Sequence, residues 1–207
     1  MGDELDFAAL LASHLCHELA GPVGVIVNGL EVLADAESNS TLRADVTGLL
    51  GDGASSALAR LQFFRVAYGL STGLGAEVSL ADTAVLAEQY FAKGRVRLAW
   101  APPLILVSKD LSRLVLNLLL VAGETLPRGG TLTVSLEPDV QLTVVAKGTH
   151  IRFSELQEGA LAGTTRIADL EPRAASAWLA GALARSRDSS IVVDVAPDQI
   201  SLTVQLG

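Results

Sequence analysis

A histidine followed directly by a glutamate, His17-Glu18, is the pair in this sequence best suited to covalent chemistry. Neutral imidazole is a competent nucleophile near neutral pH, because its unperturbed pKa is ~6.5. A carboxylate beside it can accept a hydrogen bond from Nδ1–H, which leaves the Nε2 lone pair free to attack phosphorus. The pair therefore predicts that His17 accepts a phosphoryl group and that Glu18 orients and activates it.

The residues around His17 predict a helix that presents this histidine to solvent. Pro22 cannot donate a hydrogen bond to the carbonyl of Glu18, so it is expected to bend the helix one turn after the histidine. His17 lies opposite the apolar face of the helix, where a large partner can reach it. The apolar side chains recur three or four positions apart within an arc of roughly 80°; they are Leu15, Leu19, Pro22, Ile26, Leu30 and Leu33.

Two other interpretations of His17 are weaker. An isolated surface histidine needs no function, but the residues around His17 argue against that reading. A zinc site built from His14, Cys16 and His17 is disfavoured, because these positions diverge on a helix and zinc-binding pairs prefer i, i+3 or i, i+4 spacing with further ligands elsewhere. His14 is three residues before His17 and is expected at most to modulate it. His150 is isolated and is assigned no function.

Two helices joined by a short loop are predicted for the first third of the chain. The first helix ends near Asp35, residues 36–40 have loop composition, and the second helix runs from Thr41 or Leu42 to about Leu70. Each helix has an apolar stripe, and one such αα-hairpin cannot cover both sides of it. Two hairpins are therefore expected to form a four-helix bundle in a homodimer.

Antiparallel pairing of these helices predicts a second residue near the histidine. If the loop centres near Ser38, the second helix returns beside His17 at about residue 59 or 60. Arg60 could then contact the incoming phosphoryl group, since a guanidinium forms bidentate hydrogen bonds with phosphate oxygens. A solvated surface arginine without a role is an equally open alternative.

A linker at residues 71–75 is predicted to separate an N-terminal domain, residues 1–72, from a second domain, residues 76–207. The second domain is predicted to be α+β, with helices laid on one face of a mainly antiparallel sheet. Its helices are expected at residues 80–92, 108–126 and 172–185, with Ser108 as an N-cap. Its strands are expected at residues 95–100, 131–137, 140–147, 191–196 and 199–206.

Composition narrows the class of protein. The chain has 207 residues, 50% of them hydrophobic, and a formal net charge of −8, which argues against a nucleic-acid or anionic-membrane partner. Its single cysteine excludes an internal disulfide and fits the cytoplasm. No signal-peptide pattern opens the sequence. The most apolar stretch, residues 114–122, contains Asn117 and is shorter than the ~18–20 residues of a membrane span.

Two motifs resemble those of sensor histidine kinases. His17-Glu18-Leu19-Ala20-Gly21-Pro22 is similar to the H-box, in which a histidine, a glutamate and a leucine precede a proline. Residues 113–122, with Asn117, and residues 127–132 look like the N-box of the kinases' ATP-binding domain and the strand after it. The order of the motifs is that of the kinases. The resemblance implies a dimerisation hairpin followed by a Bergerat-type ATP-binding fold.

Three departures from the kinase pattern imply a nucleotide site that no longer works. Val121 stands where the family has its magnesium-binding asparagine. Ala146 stands where the aspartate that reads adenine is expected. No Gly-x-Gly phosphate lid follows, since Gly159 and Gly163 are too far apart to form one. The chain is therefore expected to bind no cofactor of its own.

A kinase-like dimer with a phosphorylatable histidine and a dead nucleotide site resembles the ChpT-type histidine phosphotransferases of alphaproteobacteria. Residues 15–18 and 21–31 look like the first helix of that family. The resemblance implies that His17 accepts phosphate from the receiver aspartate of a hybrid histidine kinase and donates it to response-regulator receivers, which supply Mg²⁺. An autophosphorylating kinase with divergent boxes and a pseudokinase scaffold for receivers are the alternatives.

Overall fold

Two long helices form a hairpin at the N-terminal end of the chain. The computed structural model describes residues 2–35, 40–69 and 76–206, and its first two elements are α1 (Gly2–Asp35) and α2 (Ser40–Ala67). The predicted hairpin is confirmed, although α2 ends earlier than expected. Of the predicted loop at residues 36–40, residue 40 begins α2 and residues 36–39 lie outside the described residues, as does the predicted linker at residues 71–75, so the domain boundary stays a prediction.

The two helices approach closely where α1 carries its proline. Pro22 is buried and α1 continues through it as a helix. Gly53 of α2 lies against it, and a Cβ at this position would come within 3.2 Å of the Pro22 carbonyl oxygen. A glycine in a helix costs up to ~1 kcal/mol relative to alanine. Here it allows the helix backbones to pack in contact, which offsets that cost.

A five-stranded mixed sheet forms the second region. Its strand order is β2 (Val96–Ala99), β4 (Gly130–Glu137), β5 (Gln141–Lys147), β7 (Gln199–Gln205) and β6 (Ile191–Val195). All neighbours are antiparallel except β2 and β4, which are parallel. The expectation of a mainly antiparallel sheet is confirmed. A separate antiparallel pair, β1 (Glu77–Ser79) with β3 (Leu106–Ser108), was not predicted.

Four helices accompany the sheet: α3 (Leu80–Phe91), α4 (Lys109–Glu124), α5 (Glu155–Ala162) and α6 (Ala175–Arg185). Ser108 caps α4 as predicted, because its Oγ accepts the N–H of Leu111. The predicted helix at residues 172–185 is a 3₁₀ turn, Pro172–Ala174, followed by α6. Helix α5 was missed. Its signal was a capping box in which Ser154 and Gln157 hydrogen-bond reciprocally.

One apolar core joins the end of the hairpin to the sheet domain. Phe63 and Phe64 of α2 are fully buried in the same cluster as the inner face of α4 and the inner side chains of β5 and β7.

The part of the hairpin away from this core keeps apolar side chains exposed. Val23, Val27 and Leu30, spaced along one face of α1, remain 46%, 48% and 54% exposed. The chain alone therefore leaves an apolar stripe in water.

Within the described residues, α1 is the one helix long and apolar enough to cross a membrane by length and composition. Residues 114–122, the most apolar stretch of the sequence, are instead buried in α4. The result for α1 is weak evidence for a span, because a core helix or a signal sequence near the N-terminus passes the same test. Helix α1 also makes polar contacts with α2, through Glu18 and Arg60, and with α6, through His14 and Ser176.

Candidate functional site

His17 lies on the exposed side of α1, as the helical periodicity predicts. Its Nε2 atom is 3.1 Å from Nη2 of Arg173. Arg173 belongs to the 3₁₀ turn Pro172–Ala174, which precedes α6 and packs against α1. A guanidinium is always a donor, so Nε2 accepts this hydrogen bond and the neutral ring carries its proton on Nδ1. The sheet domain therefore contributes a cation to the histidine of the hairpin.

Glu18 is held from the other side of α1. Its Oε2 atom accepts a hydrogen bond of 2.9 Å from the Tyr90 hydroxyl of α3 and lies 3.5 Å from Nη1 of Arg60 of α2. The Arg60 guanidinium also sits over the Tyr90 ring, 5.0 Å from its centroid. Burial raises the pKa of Tyr90, which keeps the phenol protonated as the donor.

These contacts bear on two predicted roles. Within the described part of the chain, Glu18 makes no hydrogen bond to His17; its partners are Tyr90 and Arg60. Arg60 lies beside this turn of α1, at the level that the antiparallel register indicated, and its charge is compensated by Glu18. The functional roles of Glu18 and Arg60 in phosphoryl transfer stay predictions.

His14 is buried one turn before His17. Burial is the main reason that its pKa lies below the usual value, with smaller effects of nearby charges, so the ring is neutral at neutral pH. Burial also raises the pKa of Tyr68, which keeps its hydroxyl protonated, and this hydroxyl is hydrogen-bonded to Nδ1 of His14 at 2.8 Å. The Ser176 hydroxyl of α6 lies 3.5 Å from the same nitrogen. His14 thus joins α1, α2 and α6.

A second carboxylate faces this buried histidine. Oε1 of Glu124, the last residue of α4, lies 3.9 Å from Nε2 of His14, and its Oε2 accepts a hydrogen bond of 3.2 Å from Gln157. Burial raises the pKa of Glu124 to about 7, against the opposing effects of the Gln157 amide and the Arg173 charge. Within residues 2–35, 40–69 and 76–206, no cluster of three metal-ligating side chains surrounds a common point.

A cleft of about 620 Å³ opens between α1, α4 and α5 beside the histidine. Its lining includes three carboxylates, those of Glu18, Glu124 and Glu171. It also includes two guanidinium groups, those of Arg152 and Arg173. Such a lining has no excess of positive charge for a nucleoside triphosphate, which carries several negative charges.

The positions that resemble kinase motifs lie in the core. Nδ2 of Asn117 donates to the carbonyls of Ala67 and Arg113, both at 2.8 Å. Val121 and Ala146 are fully buried. Ala146 sits in β5 between neighbouring strands, and its side chain belongs to the apolar cluster. Asn117 therefore ties α2 to α4, and the two substituted positions carry packing.

The comparison with protein families defines the class. The family model of the histidine phosphotransferase C-terminal domain matches residues 80–199, which is more than half of the chain. The chain belongs to the histidine phosphotransferase family. It is an enzyme that transfers phosphoryl groups in a phosphorelay, and the sequence-based resemblance to ChpT-type proteins is confirmed.

Individual relatives are similar over most of the chain. The protein phosphotransferase ChpT of Brucella abortus is 36% identical over 163 residues, which cover 75% of this chain and 76% of that protein. A solved structure of a bacterial phosphotransferase superposes with a TM-score of 0.83 at 28% identity and covers 97% of this chain and 96% of its own. The histidine kinase domain of a blue-light activated kinase from Erythrobacter litoralis reaches a TM-score of 0.47 at 14% identity, covering 89% and 95%.

The residues of this site that sequence reasoning missed include Tyr68, Tyr90, Glu124 and Arg173. Tyr68 and Tyr90 fall within predicted helices, and nothing in their spacing indicates that their hydroxyls reach His14 and Glu18. Arg173 is 156 residues from the histidine that it contacts. Its position after Pro172, at the predicted start of a helix, indicates a fixed backbone but not a partner.

Proposed function

We propose that His17 receives a phosphoryl group from the receiver aspartate of a hybrid histidine kinase and passes it to the receiver aspartates of response regulators. The observation that supports this most directly is that the His17 side chain is exposed on α1, with its Nε2 atom in contact with one guanidinium. Nε2 attacks phosphorus, the P–N bond forms, and the P–O bond to aspartate breaks. The electron pair stays with the carboxylate, and Nδ1 keeps its proton.

The chain needs no cofactor of its own for this reaction. Phosphoryl transfer depends on positioning and on compensation of charge, and Mg²⁺ in the acidic pocket of the receiver supplies part of that compensation. The replacement of a magnesium ligand by Val121 and of an adenine-reading carboxylate by Ala146 supports transfer without ATP. Both side chains are packed in the core, where no nucleotide can reach them.

The functional unit is a homodimer. The apolar stripe of Val23, Val27 and Leu30 on α1 is partly exposed in the single chain. A second hairpin laid on this stripe removes it from water and completes a four-helix bundle. Such a dimer fits a cytoplasmic protein that binds receivers and neither nucleic acid nor membrane.

The experiment is to mix the purified protein with a panel of phosphorylated receiver domains. We expect phosphate that is labile in acid and stable in alkali to appear on the wild type and then on recipient receivers. The His17→Ala variant should take up none. His150→Ala is the matched control, because His150 is also an exposed histidine and lies in a bend after β5, outside the hairpin. Equal labelling of wild type and His17→Ala would contradict the proposal.

The two competing functions give different results in the same assay. Labelled ATP alone would phosphorylate a divergent histidine kinase and not a phosphotransferase. A scaffold would bind receivers without gaining phosphate on any histidine. Neither outcome is expected, because His17 keeps an accessible nucleophilic nitrogen and the kinase positions Val121 and Ala146 are buried and apolar.

A further inference from the structure

We infer that Arg173 is a catalytic residue of the transfer, whose guanidinium binds the phosphoryl oxygens while the group is on His17. The inference rests on the proposed function and deepens it. Its first support is contact with the reacting atom, since Nη2 of Arg173 is 3.1 Å from Nε2 of His17. No other charged side chain in the described part of the chain touches that nitrogen.

The second support is that the backbone under Arg173 is fixed. Pro172 has a restricted φ angle, and Ala174 and Ala175 on the other side are buried. The arginine side chain itself is exposed and long. Its guanidinium can therefore move off the axis of the Nε2 lone pair when phosphorus arrives, while its Cα atom stays beside the histidine.

The third support is that Arg173 is not engaged in an ion pair. Among the described residues, no carboxylate lies within ion-pair distance of Arg173, whereas Arg60 is paired with Glu18. An arginine that already holds a carboxylate must break that contact before it can bind phosphate. Arg173 needs no such exchange, so it is better placed than Arg60 to bind the phosphoryl group.

The chemistry follows from the order of contacts. Before transfer, the guanidinium donates to Nε2 and selects the tautomer with its proton on Nδ1, so that the attacking nitrogen is unprotonated. When the P–N bond forms, Nε2 loses its lone pair and the same N–H groups turn to the phosphoryl oxygens. Arg173 keeps all of its protons throughout. The Arg173 guanidinium thus places positive charge beside the negative charge of the phosphoryl oxygens during transfer. Fixed donors of this kind stabilise a transition state strongly.

The test uses phosphoramidate as a small phosphoryl donor, because it phosphorylates histidine without any docking surface. Nε2 forms the bond to phosphorus, and ammonia leaves with the electron pair of the old P–N bond. The rate is measured for the full-length wild type, Arg173→Ala and Arg173→Lys. Arg166→Ala is the matched control, since Arg166 is an exposed arginine of the same segment, paired with Asp169.

We expect phosphorylation of Arg173→Ala to be slower by about 10-fold or more, with partial recovery in Arg173→Lys and a rate within about twofold of wild type in Arg166→Ala. The phosphohistidine ³¹P resonance should shift in Arg173→Ala. The imidazole ¹⁵N resonances of unphosphorylated Arg173→Ala should show a mixture of tautomers, which a purely structural role would not produce.

Equal rates and unchanged resonances in Arg173→Ala would overturn the inference, even if transfer from receivers were slower, because Arg173 would then only dock them. A different result tests the proposed function itself. If the wild type gained phosphate on His17 neither from phosphoramidate nor from phosphorylated receivers, the proposed function would fall.

Discussion

The hairpin and the sheet domain treat their functional positions in opposite ways. On the hairpin, His17 is exposed, and its neighbours Glu18 and Arg60 are linked by an ion pair that is partly accessible. In the sheet domain, Val121 and Ala146, where kinases bind magnesium and adenine, are fully buried among apolar side chains. One region keeps its histidine exposed, and in the other the two positions that the kinase resemblance assigns to ligands are part of the apolar core.

The difference supports the proposal that this phosphotransferase works without a nucleotide of its own. Val121 and Ala146 add buried apolar area to the sheet domain. That domain then supports the hairpin site through its surface, where Tyr90 holds Glu18 and Arg173 contacts His17. Substitutions in the two regions should therefore affect different properties, either transfer or stability.

His17→Gln should have the largest effect on phosphoryl transfer with the smallest effect on stability. Glutamine is polar, fits an exposed helix position and cannot form a stable bond to phosphorus, so transfer should be abolished. The melting temperature should change by less than about 2 °C, since exposed substitutions are usually within ~0.5 kcal/mol. Phosphotransfer assays and thermal melts on one preparation measure both. A variant that unfolds would mean that His17 is structural.

Ala146→Asp should have the opposite effect in the sheet domain, a loss of stability rather than of transfer. It restores the carboxylate of the kinase motif but places a charge among buried side chains, so we expect a loss of about 3 kcal/mol or more in the free energy of unfolding. Calorimetric titration should detect no micromolar binding of ATP with magnesium to either form. Ala99→Asp, in the exposed part of β2, is the control and should lose far less. Recovery of ATP binding would revive the kinase interpretation.

Val27→Glu should break the proposed dimer without unfolding the chain. A charge in the centre of the apolar stripe would be buried without a partner when two hairpins pack, which costs several kcal/mol per site. Light scattering should show the wild type as a dimer at micromolar concentration and the variant as a monomer. Val192→Glu, an exposed valine on the edge strand β6, is the control. A monomeric wild type would sink the dimer.

Glu124→Gln should change how stability depends on pH. The pKa of Glu124 is raised to about 7 in the folded protein, from an ordinary value of 4.5. Its protonated form therefore stabilises the fold fully below the unfolded pKa, and that contribution is lost as pH rises through the folded pKa.

Because glutamine does not titrate, the variant should gain on wild type between about pH 5 and about pH 8, by about 1–2 kcal/mol at the upper end. Thermal melts across this range measure the difference. Glu137→Gln, at the exposed end of β4, is the control. A difference that does not vary with pH would contradict the assignment.

Arg60→Ala has the smallest expected effect and sharpens the comparison of the two arginines. Arg60 holds Glu18 and covers Tyr90, so its loss should loosen the carboxylate without removing a direct phosphoryl contact. We expect transfer to slow by about twofold to fivefold, the size of a modest positioning effect. A loss larger than that of Arg173→Ala would reverse the order of the two arginines.

The sequence predicted the parts of the molecule that depend on local periodicity. The exposure of His17, the antiparallel hairpin and the Ser108 cap all follow from residue types at short spacing. Helix α5 and the contact of Arg173 with His17 were not predicted. Helix α5 is short and lacks a strong apolar stripe, and the Arg173 contact depends on how two distant elements pack, which no local pattern encodes.

Asn117 joins the two regions of the molecule through a buried hydrogen bond. Its amide nitrogen is tied to Ala67, the last residue of α2, and to Arg113 of α4, so the end of the hairpin is fastened to the centre of the other region. The His14–Tyr68 hydrogen bond adds a second fastening nearby. A hinge needs a junction that can turn without breaking buried hydrogen bonds, and this one cannot. The receiver therefore meets a stiff template, and calorimetry on the chain should record a single melting transition rather than two.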